Sequence, residues 1–341
     1  MNKVKQGNTS PKFSVLMANY NNGKYIGEAI ESVLNQSFTD WELIIIDDNS
    51  TDNSVAVIEN YFNDDRIRFL KNRGNIGYTK TLVRLVSKAR CNIFGTLDSD
   101  DTLASNALEE MYLAHETNPQ SGFIYSQYLY CDRELNPISN GLSQLIPKGS
   151  TNLKQLYSGA FRTFKRSAYH QTGGFNPKFV YAQDRDIVLK MEEVTNVLFV
   201  DKLLYLHRVL LKGQSNDPNK KTLGKLFYIL AQYDAFCRRS GTQIPNLTKK
   251  KMSVKLCIAS VFSLRIKKGK DVIKYLRLAL DLNPLLFFSM IHYLFNKLIT
   301  RIHRLFYARK TGPPLIYTKV NKEIDRQATE ANLRNRIVYK S

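Results

Sequence analysis

The chain predicts an α/β fold, a mostly parallel sheet with helices on both faces, followed by a basic helical C-terminal region. Three observations carry that expectation. Short apolar runs alternate with helix-period segments over residues 13–130. One run, Trp41–Asp47 (WELIIID), is almost continuously apolar, as a strand buried on both faces should be. The charge is also divided: residues 1–210 hold 23 basic and 23 acidic side chains, whereas residues 211–341 hold 27 and 7, the whole of the formal +20. A length of 341 residues with 43% apolar content leaves room for one large domain or two modest ones. It excludes a disordered chain, a collagen-like chain and a minimal disulfide scaffold.

The elements follow in order. Phe13–Asn19 is a first strand, and Tyr25–Leu34 a helix with Ile26, Ala29, Ile30 and Val33 at helical spacing. Trp41–Asp47 is the second strand, and the turn-rich Asp48–Asp52 leads into a helix over Asn53–Phe62. Arg66–Leu70 and Asn92–Leu97 are strands, and Thr79–Ala89 and Thr102–Glu116 helices. Residues 121–208 are more irregular, with strands at Gly122–Tyr130, Gly159–Phe164 and Val197–His207 and a helix at Gln183–Val194. Beyond about Gly213 the pattern is helical: Leu223–Cys237, Met252–Ile266, Asp271–Leu282 and Leu285–Tyr307, with a tight turn at Lys267–Lys270. The expected domains are 12–212, 213–310 and a polar basic tail, 311–341.

Cys91, Cys131, Cys237 and Cys257 are widely spaced, which argues against a zinc site or a disulfide framework. No signal-type apolar stretch precedes the first strand, and no apolar run reaches the roughly 18–20 residues a membrane span needs. A cytoplasmic location is therefore expected.

In parallel α/β sheets ligands bind beyond the carboxyl ends of the strands. That rule selects the loops Ala18–Gly23, Asp47–Asp52 and Asp98–Asp101. Helix capping accounts for any one acidic cluster. Asp98-Ser99-Asp100-Asp101 is more specific, because three carboxylates within four residues repel one another unless a hard divalent cation lies between them. A third cluster, Gln183-Asp184-Arg185-Asp186, opens a helix. No Walker loop and no GxGxxG follows the first strand, which argues against P-loop and dinucleotide chemistry.

The segments SVLMANYNN, ESVLNQSF, DWELIIIDDNSTD, NIGYTK and LDSDD, in this order, resemble the inverting family 2 glycosyltransferases with the GT-A nucleotide-sugar fold, over roughly residues 12–210. The resemblance implies a donor site at Ala18, Asn19, Tyr20, Asp48, Lys80, Asp98 and Ser99, with Tyr20 stacking on the base and Asp48 accepting from it. It implies Mg²⁺ or Mn²⁺ held by Asp98, Asp100 and Asp101, and Asp184 as catalytic base. His207, after the last strand, is placed either to ligate the same metal or to pack as an ordinary side chain. Gly173-Gly174-Phe175 resembles the acceptor-side segment. The chain departs from the pattern at Ala18, where Pro is usual, at Lys80, the nearest cation after Asn75-x-Gly77, and at Gln183, where Glu is usual. The chemistry is coherent on its own terms: a cation stabilises a departing diphosphate, and a carboxylate takes the proton of the incoming hydroxyl.

The implied enzyme moves a sugar, UDP-linked by expectation, from a nucleotide-sugar donor to a glycan or lipid-linked glycan in cell-surface polysaccharide assembly. In Leu285–Tyr307 a stripe of Ile291, Leu294, Phe295, Leu298, Ile302 and Leu305 opposes Lys297 and Arg304. Such a helix suits an anionic membrane surface, so a peripheral position on the inner face is expected. No nucleic-acid motif accompanies the charge. The rivals are a nucleotidyltransferase, which would need a Gly-rich basic loop at Ala18–Lys24, and a non-catalytic adaptor, which would not need Asp48, Asp98, Asp100 and Asp184 together.

Overall fold

In a computed structural model of the chain, residues 11–210, 218–240, 248–266, 268–284 and residue 299 are described. Residues Met1–Asn283 form one compact unit and Pro284–Ser341 a second. The expected helix Leu285–Tyr307 and the tail 311–341 lie outside the described residues, Ile299 alone excepted.

The first half of the fold is a run of strand–helix units. β1 (Phe13–Asn19), α1 (Ile26–Leu34), β2 (Trp41–Asp47), α2 (Ser54–Glu59), β3 (Ile67–Lys71), α3 (Tyr78–Lys88) and β4 (Ile93–Thr96) follow one another. β1 pairs in parallel with β2 and β4, and β2 with β3. Strand alternation sends successive side chains to opposite faces. Phe13, Val15 and Met17 of β1 join Leu43 and Ile45 of β2 in a core under α1 and α4 (Ala107–Thr117). Leu16, Ala18, Ile44 and Ile46 face the other way, onto Leu82, Leu85 and Val86 of α3. Both faces of β1 and β2 are covered, which is why these strands read as unbroken apolar runs. Each such buried side chain contributes roughly 1.5–3 kcal/mol.

Beyond β4 the sheet becomes mixed. β6 (Ser121–Cys131), β8 (Arg162–Lys165) and β9 (Asn196–Arg208) continue it, giving the order β3-β2-β1-β4-β8-β6-β9-β5, with β7 (Pro137–Asn140) off this path beside β6. β8 is antiparallel to both β4 and β6, while β6 and β9 are parallel. The mostly parallel arrangement expected from the sequence holds for β1–β4 and again for β6 with β9, while β8 and the short β5 and β7 pair antiparallel. β5 is two residues, Thr102–Leu103, antiparallel to Leu206 and Tyr205 of β9. The expected helix Thr102–Glu116 is corrected accordingly: its first residues are strand, and α4 begins at Ala107. Cross-strand pairing with a partner a hundred residues away overrides local propensity there.

α5 (Arg166–Gln171) and α6 (Gln183–Val194) cover the second half of the sheet, with Ala168, Tyr169, Ile187, Val188 and Met191 in the core shared with α3. The basic helices α7 (Pro218–Arg238), α8 (Lys249–Arg265) and α9 (Gly269–Leu282) follow. Ala231, Ala235, Phe236 and Met252 pack with Leu153, Phe179 and Leu189, so α7 and α8 share a core with α6. No helix among the described residues is long and apolar enough to cross a membrane.

Candidate active site

The three strand-end loops are knitted together by their own polar side chains. Asn19, buried at the end of β1, donates from Nδ2 to Asp47 Oδ1 (2.8 Å) and to Ser50 Oγ (3.2 Å). Asn22 Nδ2 donates to Ser99 Oγ (2.8 Å), which joins the first loop to the third. Gly23 N–H donates to Asp52 Oδ2 (2.8 Å), which joins it to the second. Asn19 and Ser99, both expected to touch a donor, are buried fasteners of this frame, and the Ala18 methyl lies in the core. Tyr20 is half-exposed, a free ring at the mouth of the first loop.

Asp48 is buried and accepts three bonds. Asn72 Nδ2 (2.7 Å) and the Ile76 N–H (2.9 Å) donate to Oδ1, and the Gly77 N–H (2.8 Å) to Oδ2. Gly77 has φ of +89°, a conformation that turns its amide onto the carboxylate and that a side chain would disfavour. Asp48 thus fixes the turn that starts α3. Lys80, in the first turn of α3, is exposed.

That turn also positions Tyr78, whose hydroxyl donates to Asp98 Oδ1 (2.5 Å). Burial raises the Tyr78 phenol well above its usual range, and the charges of Asp98, Asp184 and Asp100 raise it further. One hydroxyl therefore senses carboxylates from both the β4 loop and α6. Burial and the Asp101 charge raise Asp98. Burial and the charges of Asp101 and Asp98 push Asp100 up to about 7. A cluster of this kind calls for a counter-charge.

Asp101 is fully engaged. Tyr205 Oη donates to Oδ2 (2.7 Å), His207 Nδ1 lies 3.0 Å from the same oxygen, and the Arg208 N–H donates to Oδ1 (2.7 Å). Burial lowers the His207 pKa, but the bond to Asp101 and the charges of Asp101, Asp98 and Asp100 leave it raised. An imidazole held at Nδ1 by a carboxylate presents Nε2 outward, the arrangement of metal-ligating histidines. Among the described residues no three His, Cys, Asp or Glu side chains form a ready metal cage. Mg²⁺ or Mn²⁺ does not require one, because such ions take one or two protein ligands and complete their shell with substrate phosphates and water. The donor set Asp100 and His207, backed by Asp98 and Asp101, fits that mode.

Asp184 stands in the first turn of α6, after Ala182 in the left-handed conformation (φ +55°). Its side chain is 39% exposed, with Oδ2 3.2 Å from Arg162 Nη2 of β8 and Oδ1 accepting the Arg185 N–H. Arg162 also donates to the Ser158 carbonyl, and its charge reaches Asp98. Asp186 is buried against Lys190 (2.6 Å) and belongs to the packing of α6. Sequence reasoning did not single out Tyr78 or Arg162. Tyr78 lies inside the NIGYTK segment and was within reach, whereas Arg162 carries no local signal and acquires its place only through the β4–β8–β6 pairing.

The family model described as Glycosyl transferase family 2 matches residues 14–175. This segment is a family 2 glycosyltransferase domain. The chain is 36% identical over 218 residues to a chondroitin synthase of Escherichia coli, covering 63% of this chain and 31% of that protein. It is 43% identical over 122 residues to the poly(ribitol-phosphate) beta-N-acetylglucosaminyltransferase TarP of Staphylococcus aureus, covering 34% of this chain and 36% of that protein. The chain thus spans about a third of the length of these curated relatives. Among solved structures, S. aureus TarS 1–349 in complex with UDP superposes with a TM-score of 0.54 at 15% identity, over 78% of this chain and 90% of that one. That likeness establishes the GT-A fold for this family 2 domain.

Proposed function

We propose that this protein is an inverting glycosyltransferase of cell-surface polysaccharide assembly, moving a sugar from a UDP-linked donor to a hydroxyl of a glycan or lipid-linked glycan. The observation that carries the reading is the convergence, around Tyr78 and Arg162, of carboxylates from the β4 loop and from α6. The acceptor oxygen attacks the anomeric carbon as the bond to the diphosphate breaks, the nucleoside diphosphate leaves, and the acceptor proton passes to Asp184. A single displacement inverts the anomeric centre. Asp184 suits this role because its carboxylate is half-open to solvent at a helix start, oriented by Arg162 and the Arg185 amide.

Asp100 and His207 would hold Mg²⁺ or Mn²⁺, with Asp98 at its edge and Asp101 orienting the imidazole. The bound ion would neutralise charge growing on the departing diphosphate. Tyr20 is available to stack on the nucleobase, and Asp48 and Lys80 belong to the donor side. The UDP complex of TarS supports the donor, and the names of the chondroitin synthase and TarP support a polymeric acceptor. The basic helices favour a peripheral position at an anionic membrane surface on the cytoplasmic side, where soluble donor meets glycan.

The test is Asp184→Asn, assayed against UDP-sugars with Mn²⁺ and a glycan acceptor. Turnover should fall by about 10²–10⁴-fold while donor binding persists. Normal turnover would remove Asp184 as base, and failure of every UDP-sugar to bind the unaltered protein would remove the donor assignment.

A further inference from the structure

The helical layer α7–α9 holds charge that the transfer reaction leaves unused. The three helices carry twelve Lys and Arg against three Asp. Between α7 and α8 lies a cleft of about 510 Å³, a size that suits a small-molecule ligand. Lys225 and Lys255 supply its charge, and Ile229, Ile258 and Phe262 its apolar wall. Gly224, Tyr228 and Gln232 complete the lining, and the last two lead inward to a buried cation.

That cation is Arg185, whose side chain is fully buried. Its guanidinium lies over the Tyr228 ring, 4.5 Å from the centroid, and Nη2 donates to the Leu153 carbonyl (3.3 Å). Nε and Nη1 have no hydrogen-bond partner among the described residues. Gln232 Nε2 donates to the same Leu153 carbonyl (2.6 Å), and Gln232 Oε1 accepts from Lys255 Nζ (2.5 Å). Two cations thus share one scaffold, and among the described residues neither has a carboxylate in ion-pair contact. Asp184 and Glu192, whose charges reach Arg185, are each bonded elsewhere, Asp184 to Arg162 and Glu192 to Asn152 and Arg239. Burial and the Arg185 charge hold the Lys255 amine below its usual range. A fully buried Arg185 beside a half-buried Lys255 is a costly pair of like charges, and an anion at the Lys255 end of the scaffold, in the cleft, would offset that cost.

The anion must also suit an apolar wall. α9 repeats the combination: Lys270, Lys274 and Arg277 surround Ile273, which is 69% exposed, at a second recess of about 300 Å³. Basic side chains interleaved with exposed aliphatics match an amphiphile better than a free ion. We propose that the α7–α8 cleft is a lipid-phosphate site, taking the phosphate head of a lipid at Lys225 and Lys255 and the start of its chain against Ile229, Ile258 and Phe262. The choice of occupant rests on the reading of this protein as one that works at an anionic membrane surface. The site lies across Tyr228 from Arg185, the residue after Asp184 on α6, so a lipid there is anchored to the helix that carries the base.

Titration of the full-length protein with dihexanoyl phosphatidic acid, below its micelle concentration, tests the site directly. Dihexanoyl phosphatidylcholine and inorganic phosphate are the comparison arms. The phosphatidic acid should bind at least about tenfold more tightly than either, and the double variant Lys225→Gln/Lys255→Gln should lose about tenfold or more of that affinity. Ile258→Asn should weaken the lipid and leave any binding of inorganic phosphate unchanged. UDP-sugar binding by the variants, equal to that of the unaltered protein, verifies the fold. Unchanged lipid affinity in the double variant, inorganic phosphate binding as tightly as the lipid, or no lipid binding at all would overturn the proposal. Failure of UDP-sugars to bind alongside lipid binding lost in the double variant would overturn the donor reading and leave the lipid site standing.

Discussion

The two halves of the sheet build the site in different ways. On the parallel side, β3-β2-β1-β4, each functional loop follows directly from a strand end, and loops are held by neighbours of similar type: Asn19 to Asp47, Asn22 to Ser99, Asp48 to the Ile76 and Gly77 amides. On the mixed side, β8-β6-β9, the residues arrive singly from distant segments: Arg162 from a short strand, Asp184 from a helix start, His207 from the end of a long strand. Donor-side geometry is thus local and repeated, while base-side geometry depends on long-range pairing. Damage to the first should therefore destabilise the fold and donor binding together. Damage to the second should alter turnover with the fold intact.

After Asp184→Asn itself, the largest effect expected is on the proposed cation site, where the two halves meet. Asp100→Asn should lower turnover by about 10²–10³-fold, with the Mn²⁺ requirement moved to higher concentration and the urea midpoint retained. Metal-dependent rate curves for both proteins check this. Next is Asp48→Ala, on the parallel side. It leaves the Ile76 and Gly77 amides and Asn72 Nδ2 without their acceptor, and should cost about 3 kcal/mol in urea unfolding and abolish donor binding.

Arg162→Gln, on the mixed side, should lower kcat about tenfold with little change in donor affinity, since it loosens Asp184 by one charge-assisted bond of about 1.5 kcal/mol. An equal loss of stability and activity would erase the proposed distinction between the halves.

The last effect falls on stability alone and leaves turnover untouched: it concerns His115, which α4 buries against β8. Thr163 Oγ1 donates to the Ile124 carbonyl and lies 2.9 Å from His115 Nε2, so Nε2 carries the proton in the neutral ring. Burial and the Lys165 charge lower this imidazole from 6.5 to about 3. The unfolded chain takes up a proton below pH 6.5 that the folded chain refuses until about pH 3. The stability contribution is thus complete above pH 6.5 and is lost as pH falls from there toward 3, at no more than about 1.4 kcal/mol per pH unit. His115→Gln should flatten the stability profile between pH 6 and pH 4.5 in urea titrations.

Much of the parallel half was legible before any coordinates. Phe13–Asn19 and Trp41–Asp47 coincide with β1 and β2, and Gln183–Val194 with α6, because burial on two faces or one leaves a periodic trace within ten residues. The mixed half was less legible. β7 and α5 are short and carry no distinctive period, and Thr102–Leu103 is strand only because β9 lies beside it. At the site, the acidic clusters were visible as composition, but their division of labour was not: Asp101 is spoken for by Tyr205, His207 and Arg208, and Asn19 and Ser99 face inward.

The sequence by itself determined the strand–helix alternation, the carboxylate loops at the strand ends, and the segregation of positive charge into the last third of the chain. Each is a property of neighbouring residues, and periodicity and composition record it directly. Only the tertiary structure decided that Tyr78 and Arg162 stand between the β4 loop and α6, and that Arg185 and Lys255 share a buried scaffold beside an open cleft. Those meetings join residues 20 to 106 positions apart along the chain. They arise from the order in which strands pair and from the packing of α6, α7 and α8, and no local pattern encodes either.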